Sequence, residues 1–261
     1  MAEITGTNNG DNTSNLDPQP TNGPDTIKGL GGNDDLQGLG GKDTIFGNSG
    51  ADDINGGPQD DRIDGGTEGD QIYGGDGNDT MFGQDGPDLL FGQKGFNTYL
   101  GGEGNDILTG LGELNVDEDG NGLISTGGPV GYDSFQGEGG DDTFRLRAGN
   151  DAAGRFFVKG QKAARIFDFD PGTSSAEDGD KIVLPGSPDN YRGIIYGDNN
   201  EGTAILYTED PDIDLGISFG GLSVGSDTLS VPIPDQTAVV AVLEGVTARD
   251  MTNPNFYEYT G

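Results

Sequence analysis

The sequence predicts an all-β protein, a parallel β-roll with a β-rich capping domain at its C-terminal end. The first reason is a period of nine residues that holds over ten successive units within residues 21–109. The second is the content of each unit, which has several glycines, a polar position that is almost always aspartate, and one large apolar residue. The third is the loss of this period after residue 151, where short strand-forming runs alternate with turn residues. A short period that repeats without gaps is typical of a solenoid.

Each unit has an acidic position that is followed two residues later by an apolar one. Counting by nine, the acidic positions are Asp25, Asp34, Asp43, Asp52, Asp61, Asp70, Asp79, Asp88, Asn97 and Asp106. The apolar positions are Ile27, Leu36, Ile45, Ile54, Ile63, Ile72, Met81, Leu90, Tyr99 and Leu108. We expect each apolar residue to point inward from a strand of three residues, and the six residues before that strand to form a glycine-rich turn.

Two units complete one turn of the spiral, so residues 18 apart in the sequence are expected to stack. One edge then carries Asp25, Asp43, Asp61 and Asp79, and the other carries Asp34, Asp52, Asp70, Asp88 and Asp106. Stacked carboxylates repel each other unless a cation lies between them. Carboxylates and turn carbonyls form an all-oxygen ligand set, which suits calcium rather than zinc or copper. The alternative is an acidic, glycine-rich disordered segment. The strict register favours calcium, and the two states are compatible with different calcium levels.

The best-formed units are residues 74–82 and 101–109, which match the pattern G-G-x-G-x-D-x-U-x, where U is a large apolar residue. The chain resembles the RTX family, the hemolysin-type calcium-binding nonapeptide repeats. The resemblance implies a β-roll in which multiple calcium ions lie between the loops of successive turns, held by aspartate side chains and loop carbonyls. The candidate glycine ligands in the best-formed units are Gly74, Gly77, Gly101 and Gly104.

The period and its interruptions divide the chain into five predicted segments. Within the first of them, Ile4–Thr7 is either a degenerate strand or part of a flexible tail. The fourth contains Asp133 and Asp142, two further candidate metal ligands. A repeat stack needs a different module to cover its exposed end, so the last segment is expected to be a cap. The segments are a polar lead-in (1–20), the β-roll (21–109), an interruption (110–127), further turns of the roll (128–151) and the β-rich cap (152–261).

The interruption contains an acidic loop. Asp106 and Asp133 are 27 residues apart, or three periods, so the interruption is either a foreign loop or two degenerate units. Residues 117–125 resemble the first part of an EF-hand calcium loop. The candidate ligands in this loop are Asp117, Asp119 and Asn121. Gly128 stands where an EF-hand has its closing glutamate, so the segment is either a single extra calcium loop or a plain acidic turn.

The C-terminal region alternates short strand-forming runs with turn residues, as an all-β domain does. The predicted strands are Arg155–Val158, Arg165–Phe169, Lys181–Leu184, Gly193–Tyr196, Thr203–Tyr207, Gly216–Phe219 and Ala238–Leu243. Thr247–Thr252 is predicted to be a brief helical turn. Residues 166–184 and 245–256 also resemble the segments that follow RTX repeats, which implies a C-terminal signal for type I export.

Some repeat positions depart from the pattern. Gln59 and Glu68 stand at glycine positions, and Asn97 stands at an acidic position. We expect the ion sites next to these residues to be weaker or to use other ligands.

Several outward strand positions are apolar. They are Phe46, Phe82 and Leu100 on one sheet, and Tyr73, Leu89, Phe91 and Ile107 on the other. These residues either form a contact surface for another subunit or a polymer, or they are covered by the interruption and the cap.

The composition excludes several classes of function. The formal charge is −33, from 13 basic and 46 acidic side chains, whereas nucleic-acid or anionic-membrane binding needs a basic face. Without histidine or cysteine, the chain has no histidine-zinc protease site, Ser-His-Asp triad or zinc-thiolate site. We therefore predict no catalytic residue and no enzyme activity. No apolar run has membrane-spanning length, and the N-terminal residues lack the features of a Sec signal peptide.

These observations predict a secreted, calcium-binding protein that folds outside the cell and has a structural, adhesive, surface or matrix role. It would be extracellular or associated with the cell surface. Its partners would be calcium and either copies of itself, as in a self-assembling filament, or surface polysaccharide. The alternative is a calcium-dependent carbohydrate-binding or polysaccharide-modifying extracellular protein.

Overall fold

A computed structural model describes the repeats continuously and the C-terminal region in short segments. One compact unit contains Met1–Leu111 and Asp133–Arg145, and the remaining described segments belong to a second unit. The described residues are 2–16, 18–112, 133–148, 164–169, 179–185, 191–196, 202–208, 224–225, 228–229, 237–244 and 257–260.

The first unit is a β-roll of two parallel sheets, with successive strands placed alternately in one sheet and the other. The first sheet contains, in spatial order, β1 (Glu3–Thr5), β2 (Thr26–Gly31), β4 (Thr44–Ser49), β6 (Arg62–Thr67), β8 (Thr80–Asp85), β10 (Thr98–Glu103) and β12 (Ser134–Gly139). The second contains β3 (Asp35–Gln37), β5 (Asp53–Pro58), β7 (Gln71–Asp76), β9 (Leu89–Lys94), β11 (Ile107–Gly112) and β13 (Thr143–Ala148). The predicted parallel β-roll is confirmed.

Neighbouring strands pair in the register that the nine-residue period predicts. Ile27 of β2 lies opposite Ile45 of β4, 18 residues later. The strands are longer than the three residues predicted, because pairing resumes after one unpaired glycine, as between Leu30 and Asn48. The first half of each predicted turn is therefore a continuation of the strand.

The core of the roll is a single row of side chains from each sheet. The apolar residue of every unit from Ile27 to Leu108 is fully buried, as the period predicts. Burial of one such side chain contributes about 1.5–3 kcal/mol. Toward the C-terminal turns the row becomes aromatic, and Tyr99 stacks on Phe135 with ring centroids 4.4 Å apart.

The roll begins before residue 20. β1 pairs in parallel with β2, and Ile4 of β1 is fully buried opposite Ile27. A 3₁₀ turn follows at Thr13–Asn15. The prediction that residues 1–20 are only a polar lead-in is therefore wrong, because Ile4 occupies a core position of the first sheet. Of the two alternatives for Ile4–Thr7, the degenerate strand is the one that the structure shows, as β1.

The strands before and after the interruption are direct neighbours in the roll. β10 pairs directly with β12, and Thr98 lies opposite Ser134. Since β8 is the other neighbour of β10, no strand lies between β10 and β12. The alternative that the interruption supplies two degenerate units to this stack is therefore wrong. Residues 117–125 lie outside the described residues.

The second unit is also built from strands. It contains β14 (Ala164–Ile166), β15 (Lys181–Pro185), β16 (Tyr191–Tyr196), β17 (Gly202–Thr208), β18 (Val224–Gly225), β19 (Thr228–Leu229), β20 (Thr237–Glu244) and β21 (Tyr257–Thr260). β17 pairs antiparallel with both β16 and β20, whereas β14 pairs in parallel with β20 and β15 with β21.

Five of the predicted C-terminal strands overlap described ones, namely β14, β15, β16, β17 and β20. The prediction for Arg165–Phe169 extends too far, because β14 ends at Ile166 and residues 167–169 are not in a strand. The predictions for 155–158, 216–219 and 247–252 lie outside the described residues. The β-rich character of this region is confirmed, and its role as a cap remains a prediction. Among the described residues, no helix is long and apolar enough to cross a membrane.

Candidate metal centre

The aspartates of the repeats form two columns that run along the roll. In each column the backbone N–H of one residue donates to the side-chain Oδ1 of the residue in the next turn, at 2.7–2.9 Å. The first column contains Asp25, Asp43, Asp61, Asp79, Asn97 and Asp133. The second contains Asp34, Asp52, Asp70, Asp88, Asp106 and Asp142. These hydrogen bonds orient every carboxylate in the same way toward the interior of its loop.

The second carboxylate oxygen has no protein partner along most of each column. Eight Oδ2 atoms are buried and accept no hydrogen bond, those of Asp34, Asp43, Asp52, Asp61, Asp70, Asp79, Asp88 and Asp106. A buried anionic oxygen without a partner is strongly unfavourable. The arrangement therefore requires either a proton or a cation at each of these atoms.

Without a bound cation, burial shifts these carboxyl groups toward their protonated form. Burial raises the pKa of Asp43, Asp52, Asp79 and Asp88 to about 6, that of Asp61 and Asp106 to about 7, and that of Asp70 to about 8. Burial also raises the pKa of Asp34, and that of Asp133 to about 7. Hydrogen bonds from the backbone oppose these shifts, and neighbouring carboxylates add to several of them.

Loop carbonyls approach the gaps between turns from both sides. A Cβ built on Gly56 would lie 2.6 Å from the carbonyl oxygen of Gly74, in the following turn. The carbonyl of Gly77 would collide with a Cβ on Gly95, again one turn later. Only glycine permits such close approach. The equivalent pairs in the other column are Gly83 with the Gly101 carbonyl and Gly140 with the Gly104 carbonyl.

The donor set fits calcium. Among the described residues, no three acidic side chains come together as a metal-binding group. Each turn instead offers one unpartnered carboxylate oxygen beside the carbonyls of stacked loops. Calcium accepts mixed carboxylate and carbonyl ligands in flexible geometry. The eight aspartates and the loop carbonyls, including those of Gly74, Gly77, Gly101 and Gly104, are therefore the residues that would hold it.

Asp25 differs from the later members of its column. Its Oδ2 accepts hydrogen bonds from the backbone N–H of Thr21 at 2.7 Å and from the Thr21 hydroxyl at 2.9 Å. Burial tends to raise the pKa of Asp25, but the hydrogen bonds from Ala2 and Thr21 outweigh it and the pKa is lowered. This carboxylate is satisfied as an anion without a metal.

The second column begins with a residue that the repeat pattern misses. The backbone N–H of Asp11 donates to Oδ1 of Asp34, which places Asp11 one turn before it. The Oδ2 atom of Asp11 accepts the backbone N–H of Thr7. We call the pairs Thr7–Asp11 and Thr21–Asp25 the threonine clamps. The signal that could have revealed them is a threonine four residues before each aspartate.

The remaining predicted ligands have different surroundings. The Oδ1 atoms of Asp133 and Asp142 accept the backbone N–H groups of Asn97 and Asp106, and thus extend the two columns. Asp117, Asp119 and Asn121 lie outside the described residues.

Gln59 and Glu68 retain the backbone shape of the glycines they replace. Their φ angles are 82° and 71°, in the left-handed region that favours glycine. The loops at these residues are therefore strained rather than reshaped. A weaker ion site beside them remains a prediction.

Comparison with known families identifies the repeats. The model of the RTX calcium-binding nonapeptide repeat matches in four copies, over residues 21–54, 55–90, 91–112 and 130–152. These residues include strands β2 to β13, and RTX repeats bind calcium. These residues are therefore RTX repeats, as the resemblance predicts.

Solved structures also match the chain. One is the solution structure of the AlgE6R3 subunit from the Azotobacter vinelandii mannuronan C5-epimerase, at 20% identity and a TM-score of 0.30. The match covers 78% of this chain and 80% of that one. A comparison with the curated proteins gives no match.

Proposed function

We propose that this chain is a secreted RTX protein that folds on binding several calcium ions and acts as a non-catalytic structural or adhesive component outside the cell. The observation that carries this proposal is the pair of columns with eight buried carboxylate oxygens that lack a protein partner. A fold that places anions in this way depends on cations for its stability.

The charge of the chain supports folding coupled to calcium. The net charge of −33 opposes compaction, and 51 glycines increase the conformational entropy lost on folding. Each ion that binds the folded state but not the unfolded state adds to stability, by about 2.7 kcal/mol at a concentration one hundred times its Kd. Several bound ions thus offset these two opposing effects in part.

The calcium requirement also supports an extracellular location. Extracellular calcium modules bind with Kd values of roughly 10⁻⁴–10⁻³ M. Inside the cell, where calcium is scarce, such a chain lacks this stabilisation, which suits transport through a channel. The C-terminal residues that resemble the export segments of RTX proteins would then direct type I export.

The absence of histidine and cysteine from the sequence supports a role without catalysis. Carboxylate pairs such as Asp168 and Asp170 are expected by chance in a chain with 46 acidic residues. We therefore assign no catalytic role to them.

Circular dichroism during a calcium titration tests the coupling of folding to calcium. We expect metal-free protein at neutral pH to have only part of the β signal and to gain the rest as calcium reaches millimolar concentration. Magnesium at the same concentration is the control, since it demands octahedral geometry and is reluctant to lose its water. A β signal that is unchanged between chelator and several millimolar calcium would contradict the proposal.

Electron microscopy tests the structural role. A surface-layer or filament component is expected to form ordered assemblies in calcium and to disperse in chelator, because shared calcium neutralises the acidic surfaces of neighbouring copies. Monodisperse monomers at high calcium would contradict a self-assembling role. The proposed function would then be that of an adhesive protein that acts as a monomer.

A second candidate function is calcium-dependent carbohydrate binding. It is favoured by the aromatic pair on the outer face of the second sheet, where Tyr73 and Phe91 stack with centroids 5.1 Å apart. Aromatic faces provide packing surfaces for sugar rings, and the outward amides of Asn55 and Gln71 offer hydrogen bonds nearby. A glycan array with and without calcium tests it. Binding that requires calcium and is lost in Y73A/F91A would support it, whereas no calcium-dependent signal would exclude it for the glycans on the array.

A further inference from the structure

One position of the first column presents a donor where its neighbours present an acceptor. The backbone N–H of Asp79 donates to Oδ1 of Asn97 at 2.9 Å, which fixes the orientation of the Asn97 amide. The Nδ2 atom of Asn97 therefore takes the place of the unpartnered Oδ2 in the other turns. It is buried and makes no hydrogen bond of regular geometry, although the Tyr99 hydroxyl is close enough to interact with it. An amide N–H group carries no negative charge and cannot ligate a cation.

The hydroxyl of Tyr99 enters the same place. A Cβ built on Gly92 would collide with this hydroxyl and would lie 2.5 Å from Asn97 Nδ2. One turn earlier, a Cβ on Gly74 would meet Asp79 Oδ2 and the carbonyl oxygen of Gly92, the latter at 3.0 Å. The Tyr99 hydroxyl thus occupies the position that the carbonyl oxygen of the next loop occupies in the regular turns.

Tyr99 is held firmly in this position. Its side chain is fully buried, its ring stacks on Phe135, and its hydroxyl donates to the Thr109 carbonyl at 3.2 Å. The inward residues of the other turns in this column, such as Ile63 and Met81, have no polar atom that could replace a ligand.

We propose that Asn97 and Tyr99 form a tyrosine plug, a metal-free closure that takes the place of a calcium ion at the Gly92–Asn97 loop. This inference rests on the proposed calcium binding of the other turns. The first column then binds its ions only on the N-terminal side of Asn97, whereas the second column continues through Asp106.

Calcium stoichiometry tests the plug. N97D/Y99L restores the aspartate and an aliphatic core residue, and is expected to bind one more calcium ion per chain than the wild type, counted by native mass spectrometry and calorimetry. N55D adds the same charge at an exposed strand position and is expected to leave the count unchanged. Y99L alone keeps the Asn97 donor in the gap and is also expected to bind no further ion. An unchanged count in a folded N97D/Y99L, or an extra ion in Y99L alone, would overturn the plug.

A measurement without calcium separates failure of the plug from failure of the proposed function. In metal-free buffer the plug needs no cation, so N97D/Y99L is expected to melt at a lower temperature than the wild type, and the order is expected to reverse in calcium. The plug would be overturned if N97D/Y99L melted above the wild type in metal-free buffer. A wild type that binds no calcium while N97D/Y99L is destabilised would contradict the proposed function but not the closure by Asn97 and Tyr99.

Discussion

Asp25, the first carboxylate of the first column, has different surroundings from the carboxylates in the middle of the roll, although all of them occupy the same repeat position. Asp25 and Asp70 both accept a backbone N–H at Oδ1, from Ala2 and Asp52 respectively. At Oδ2, Asp25 accepts two hydrogen bonds from Thr21, whereas Asp70 has no partner. The pKa is lowered for Asp25, and burial raises that of Asp70 to about 8. The same residue at the same repeat position is therefore satisfied by the protein in one turn and requires a cation or a proton in another.

The difference arises from the residue four positions before the aspartate. In the regular loops this residue has a positive φ angle, as for Gly66 at 122° and Gly75 at 109°. Thr7 and Thr21 do not have positive φ, in keeping with the steric cost that a β-branched side chain has there. Their N–H groups instead turn toward the aspartate, and their hydroxyls accept a loop N–H, as in other threonine turns. A threonine at this position thus replaces the metal with a hydrogen-bonded turn.

The largest expected contrast is between D70N and D25N. In calcium at one hundred times its Kd, D70N is expected to lose about 2.7 kcal/mol of unfolding free energy, because one ion site is lost. In chelator the sign reverses, and D70N is expected to be more stable than the wild type, because Asp70 must either take up a proton on folding or be buried as an unpartnered charge.

D25N is the matched control. It places an amide N–H group against the Thr21 N–H, so it is expected to lose about 1–3 kcal/mol in calcium and in chelator alike. Denaturant unfolding of both variants under both conditions checks these values. Equal effects of D70N in calcium and in chelator would contradict the difference between the two turns.

The metal-free protein is expected to gain β structure as the pH falls from about 8 toward 5. The folded pKa values of about 6 to 8 exceed the unfolded value of about 3.9, so the folded state binds more protons. Stability without metal is therefore lost as pH rises through this window. Circular dichroism of metal-stripped protein in metal-free buffer measures it. A β signal that grows with rising pH in the absence of metal would show that these carboxylates are not held in buried columns.

Saturating calcium is expected to reverse this dependence. Protons compete with calcium for the same oxygens, so stability in calcium is expected to fall as pH drops below about 6. Proton release on calcium binding, measured in weakly buffered solution near neutral pH, provides an independent check.

Removal of one threonine hydroxyl is expected to have a smaller effect. T21V deletes the 2.9 Å hydrogen bond to Asp25 and keeps the backbone N–H donor. We expect a loss of about 1 kcal/mol, equal in calcium and in chelator. T80V, at an outward strand position, is the control and is expected to change stability little. A loss of stability in T21V that appears only in calcium would indicate that a bound ion, rather than the threonine clamp, stabilises the Asp25 carboxylate.

The smallest expected effect is a gain in stability from Q59G. Gln59 has a φ of 82°, so glycine relieves left-handed strain there and is expected to stabilise the roll by about 0.5–1 kcal/mol. Q71G makes the same replacement within strand β7 and is expected to destabilise by a similar amount. Thermal melts in calcium compare the two variants. Equal effects of Q59G and Q71G would contradict the strain at position 59.

Much of the roll was predictable because its pattern is simple. Burial of one side chain per nine residues requires an apolar residue such as Ile45 or Ile63 at that spacing, and parallel stacking brings Asp43 over Asp61. The strand length was not predictable from the same pattern. The second pairing segment, as at Leu30 and Asn48, depends on backbone hydrogen bonds and has no characteristic residue type.

The first turn of the roll and the tyrosine plug could not be predicted from the sequence, for a different reason. Ile4 and Asp11 precede their stacked partners by 23 residues rather than 18, which takes them out of the nine-residue count. Asn97 is visible in the sequence as a departure from the pattern. Its consequence depends on Tyr99, whose hydroxyl reaches the gap only because Gly92 has no side chain. Such effects come from packing between turns and not from the period.

Anomalous X-ray scattering from crystals grown in calcium tests the central claim most directly, because it locates the ions. We expect peaks beside the Oδ2 atoms of the middle aspartates, such as Asp52, Asp61 and Asp70, and none beside Asp25 or in the gap at Asn97. Absence of peaks along the middle of both columns, in a roll with the same strand pairing, would contradict the account.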